Sequence, residues 1–161
     1  MRSSMIEYFQ AEKQEALLFL AVGVVALATA ALLLRGGGAW RAMAWPLGVV
    51  ALIQIGVGGA VFFRTDRQVA ALVQTLDADP SAYRSAETAR MAQVMSSFRD
   101  YAILEVALIA IGIALTAFFP HRQALYAVGV GLIAQAAFML VLDLFAAQRG
   151  RAYLEALARL G

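Results

Sequence analysis

The chain contains no cysteine and one histidine among its 161 residues. The first absence excludes disulfides, thiolate metal sites, thiol-linked haem and thiol redox catalysis. The second excludes haem held by two axial histidines, and the Glu-x-x-His pairs of carboxylate metal sites in helix bundles are missing too. No serine–histidine–acid or cysteine–histidine set can be assembled, since His121 follows Pro120 with no acidic residue near it in sequence. The triplet in "LLRGGGAWRAMAWP" lacks the lysine and preceding strand of a phosphate loop and reads as a flexible turn. Charge is scarce as well, at 15% of residues against about 25% in soluble domains.

What remains is apolar: 62% of residues are hydrophobic, too many for one soluble core. Four runs, about 16–34, 43–63, 101–119 and 124–147, meet the length of roughly 20 residues that a bilayer requires. Lipid-exposed backbone must be bonded internally, so these runs are expected to be helices. The expected fold is an all-α integral membrane protein, one domain over 1–161 built as a four-transmembrane-helix bundle. Ala28-Thr29-Ala30 mimics a signal-peptide cleavage site. The segment before that run carries Glu7, Glu12 and Glu15 against Arg2 and Lys13, the wrong charge for a signal peptide, so an uncleaved span is expected.

Four spans place the N-terminus, segment 64–100 and the C-terminus on one side. Ten of the thirteen basic residues lie there, leaving Arg35, Arg41 and Arg122 opposite. The positive-inside rule then predicts cytoplasmic termini, and the expected location is a bacterial inner (plasma) membrane. All eleven acidic residues lie on or near that same side, which places any chemistry near the inner face. The basic residues flank spans where topology alone would put them, and no nucleic-acid surface is read from them. Trp40 and Trp45 are expected as interface anchors.

Segment 64–100 is expected to be a cytoplasmic helical hairpin. Val69, Leu72, Val73 and Leu76 recur at helical spacing. Asp79 then fits an N-cap with Pro80 at the first helical position. Met91, Val94, Phe98, Tyr101, Glu105, Leu108 and Gly112 form one stripe, which predicts a single third helix from about Ser81 to Phe119. Ser4 with Glu7 fits a capping box ahead of the first span, and Tyr153, Leu154, Leu157 and Leu160 predict an amphipathic tail. All four helices should extend into the cytoplasm.

The halves resemble each other. "LGVVALIQ" (47–54) matches "VGVGLIAQ" (128–135), and the run from Glu15 lies over the run from Glu105 once a small gap is allowed. A tandem two-helix repeat about an axis along the membrane normal is expected. "GVGGA" (56–60) carries a small-xxx-small pair, and Gly129 and Gly131 offer the same in the fourth span, for packing within the bundle or between copies.

Polar groups inside spans usually face the bundle interior and mark function. Gln54 and Gln135 fall near the midplane, while Glu105 and Asp143 fall about one turn inside the inner boundary, level with Glu12 and Glu15. Glu15, Gln54, Tyr101, Glu105, Gln135 and Asp143 are therefore the candidate ligand-binding residues. In one reading the glutamines bond between helices and the carboxylates pair with Arg99, Arg149, Arg90 or Lys13. In another the carboxylates bind a proton or cation, and in a third the group orients a lipid or quinone. A metal site of oxygen ligands alone stays open, and no cofactor is assigned.

The favoured expectation is a small polytopic protein, more a binding protein than an enzyme, with a small ligand, proton or cation at this acidic cluster. The alternative is a non-catalytic scaffold or accessory subunit of a membrane complex, as a homo-oligomer or with a partner membrane subunit. A lipid- or quinone-binding membrane enzyme is the outsider. The chain looks like the small four-span proteins common in bacterial genomes, a likeness that implies no activity and transfers no residue roles.

Overall fold

The computed structural model describes residues 1–159. It is all-helical: α1 (Arg2–Gly36), α2 (Ala44–Ala78), α3 (Pro80–Phe118) and α4 (Gln123–Ala158), with a 3-10 turn at Ala39–Met43 before α2. Each of the four is long and apolar enough to cross a membrane. With 35 to 39 residues they measure roughly 52–58 Å at 1.5 Å per residue, well beyond a bilayer core. The third helix takes almost the bounds its stripe predicts. Segment 64–100 is the end of α2 and the start of α3, joined at Asp79 as a helical hairpin.

The junctions follow from single residues. Asp79 is extended, and its Oδ1 accepts the N–H groups of Ser81 and Ala82 at 3.0 Å each, with Pro80 opening α3. Those bonds hold the Asp79 carboxyl below the usual carboxylate range. At the opposite end Gly37 and Gly38 both have φ of 73°, a conformation glycine adopts without strain.

The residues after these glycines are packed, which corrects the expectation of a flexible turn. Met43 and Pro46 cover Gly131 of α4, and Trp40 meets Tyr126 edge-on. A second correction concerns the capping box. Helix α1 begins at Arg2, ahead of Ser4, with Met1 as an N-cap that makes no side-chain bond. Burial of Met5, with Met1 packed beside it, anchors this first turn instead.

α1 packs along α2 and α3 along α4, as two antiparallel hairpins side by side. Where the helices are most apolar, they touch through small residues. Gly112 and Gly129 face each other, so that a Cβ on Gly112 would stand 2.8 Å from the Gly129 carbonyl oxygen. Gly58 abuts the backbone of Ala16 in the same way. Such contacts let backbones approach closely. The 56/60 pair of "GVGGA" turns outward instead, and Gly56 has nothing within 4 Å. Gly58 lies two residues on and so about 200° round the helix, which is why it is the position pressed against the backbone of α1.

At the end carrying both termini the packing changes. Met5, Tyr8, Phe9, Tyr83, Met91, Tyr153 and Leu157 form a buried core, with Val69, Leu72, Val73 and Leu76 of α2 against it. Tyr153 and Leu157 thus stand where the tail pattern predicts them, while Leu160 lies outside the described residues.

Candidate functional site

α3 buries Tyr83, Glu87, Met91, Glu105 and Gly112 along one face. Helical periodicity therefore carries Glu105 to the inside, where it is only 2% exposed. Both its carboxyl oxygens are shielded, and neither meets a hydrogen-bond donor. What they meet is another acceptor: the carboxyl of Asp143, on α4, lies within hydrogen-bonding reach.

Asp143 also borders a cavity of about 120 Å³ whose wall includes Glu12, Glu15, Phe19, Gly58 and Phe98. Here carboxyls from α1 and α4 approach one another. Glu15 is taken by Arg149 of α4, which donates to its Oε2. Glu12 has Arg64 at 3.7 Å, while its Oε2 is buried without a partner. Glu12 precedes the first apolar run, and burial lifts its carboxyl above the ordinary range against the pull of Arg64 and Arg90.

The structure thus brings Glu15 and Asp143 to one cavity and sets Glu105 against Asp143. The carboxyls meet in pairs rather than at a point. Among the described residues, no three His, Asp or Glu side chains are placed to hold a metal ion.

Gln54 and Gln135 face each other between the hairpins, with Nε2 of Gln135 donating to Oε1 of Gln54 at 3.4 Å. That distance is long for an N–H···O bond. Gln54 is fully buried and its own Nε2 finds no acceptor.

Tyr101 is a correction. It is 53% exposed, on the outer surface, while Ala102 is turned further inward. On a 3.6-residue helix, positions 101 and 102 flank the line from Phe98 to Glu105 on either side, and the sequence alone does not fix the roll of α3.

The pairings differ from those expected in other respects. Lys13 bonds Asp66 rather than a span carboxylate, and Arg99 lies 3.5 Å from Asp100. Arg90 makes two bonds, of 2.7 and 2.8 Å, to Glu87, a carboxylate only 1% exposed. Around this pair, Arg90 lies over the Phe9 ring and Tyr8 stacks on Tyr153. The Tyr83 and Tyr153 hydroxyls are 2.6 Å apart. Burial, then the charge of Glu12, pushes Tyr8 up to about 12.

Sequence inspection missed this cluster. Its signal was present, because Tyr83, Glu87 and Met91 continue the α3 stripe backward at four-residue spacing.

No protein-family model matches the chain, and neither the curated proteins nor the solved structures give a match.

Proposed function

We propose that this chain is a multi-pass protein of a bacterial inner membrane, with cytoplasmic termini, that binds a proton at the Glu105–Asp143 pair. One observation carries the reading: a buried carboxyl with no donor, facing a second carboxyl. Two adjacent negative charges in an apolar wall repel each other and lack compensation. One proton shared between them removes the repulsion and supplies the missing donor. The cavity bordered by Glu12, Glu15 and Asp143 lies toward the end with the termini, giving protons from the cytoplasmic side a route inward.

The membrane reading is supported by the outward surface. Phe63, Phe118, Ile103 and Trp45 all point outward from the helices' apolar stretches, an arrangement suited to lipid and costly in water. The two hairpins are read as a tandem repeat. Gln54 and Gln135, equivalent in the sequence match, touch each other, as residues near an axis along the membrane normal would.

Proton uptake by the reconstituted protein on a base-to-acid titration tests the proposal. Followed from base only as far as neutral pH, where the pair holds its one shared proton, Glu105→Gln and Asp143→Asn should each take up about one proton fewer than the wild type, and the double variant no fewer than either single one. Uptake identical in the wild type and Glu105→Gln would sink the idea.

A second reading, a scaffold or accessory subunit, draws on the outward 56/60 pair, which is suited to close helix contact. Cross-linking that finds the protein alone and monomeric in its native membrane counts against it.

A further inference from the structure

A groove of about 430 Å³ lies between α3 and α4, bordered by Phe98, Ala102, Ile103, Val106, Leu144 and Ala147 among others. Arg99 and Arg151 line it as well, so it has both apolar walls and cationic groups. Arg99 has only the loose Asp100 contact, and Arg151 makes no ion pair among the described residues. Phe98 and Asp143 line both this groove and the acidic cavity, and so stand as the partition between them.

We propose that the groove seats an anionic phospholipid of the cytoplasmic leaflet. Its phosphate lies on Arg99 and Arg151, and an acyl chain runs along Ile103, Val106 and Leu144. The α3 wall from Met95 to Val106 is about 16 Å long, enough for a headgroup linkage and the upper half of a chain. Arginine stems can lie along apolar walls while their guanidinium groups stay at the interface. Their planar forks bind phosphate oxygens in pairs. Basic residues at this level favour anionic over zwitterionic lipid. The proposal rests on the bilayer placement but not on the proton site.

Native mass spectrometry of the full chain in mild detergent tests it, with phosphatidylglycerol and phosphatidylcholine of the same acyl chains as probes. Wild type should retain phosphatidylglycerol about tenfold better. Arg99→Gln/Arg151→Gln should abolish that preference, while Arg35→Gln/Arg41→Gln at the opposite end should keep it. Ala102→Phe, which fills the groove, should weaken binding with both arginines intact. Equal retention of the two lipids by wild type, or an unchanged preference in Arg99→Gln/Arg151→Gln, overturns the proposal. Retention is read on the lipid adduct and not on proton uptake, so loss of the proton reading leaves this one standing.

Discussion

The same four helices pack by opposite means in their two halves. Toward the termini they bury large side chains: Phe9, Tyr83, Met91 and Leu157 fill the space between them. In the more apolar half the closest backbone approaches are made at Gly58, Gly112 and Gly129. Of the described residues, Leu47 is the one large apolar side chain buried among alanines there, while many leucines and valines point outward. Water explains the first arrangement, since burying a large apolar side chain there stabilises by about 1.5–3 kcal/mol. On the proposed bilayer placement, lipid accounts for the second, because acyl chains are as apolar as leucine and only close approach is gained. The polar groups divide the same way. Glu87 has its arginine and the tyrosines have each other, whereas Glu105 faces only another carboxyl.

The contrast can be broken from either side. Phe9→Ala should have the largest effect, a loss of about 3–5 kcal/mol in unfolding from detergent. Trimming the outward Val57 to alanine should change stability by no more than about 0.5 kcal/mol. Enlargement should reverse the sensitivity. Gly112→Leu drives a side chain into the backbone of α4 and should cost about 1–3 kcal/mol, while Gly56→Leu, facing open space, should be close to neutral.

Tyr153→Phe removes one hydroxyl of the tyrosine pair and should cost about 1 kcal/mol in the same assay. Asp79→Ala removes the N-cap of α3 and should give a modest fall in melting temperature. The Asp79 carboxyl is held below its unfolded value, so its contribution is complete above that value and lost as pH falls through the folded one. The gap between wild type and Asp79→Ala should therefore close in acid.

Local chemistry made much of this legible in the sequence. The Asp79-Pro80 junction acts through adjacent residues, and the four long helices follow from apolar run length and period. The inward position of Glu105 followed from the phase of its own stripe. Relations between helices were less legible. That Arg149 takes Glu15, and that Asp143 is left to Glu105, depends on how α1 and α4 roll against each other. The same ignorance of roll put Tyr101 in the site and favoured the 56/60 pair over Gly58. The burial of Glu87 is legible in the phase of the same α3 stripe, whereas Tyr8 and Tyr153 come to it from α1 and α4 and depend on how the helices pack.

The shared proton is the central claim, and infrared difference spectroscopy of the reconstituted protein tests it most directly. The wild type should show a protonated-carboxyl C=O band at neutral pH that shifts in deuterium oxide and is lost in Glu105→Gln. A wild-type spectrum with no such band, or one that Glu105→Gln leaves unchanged, would contradict it.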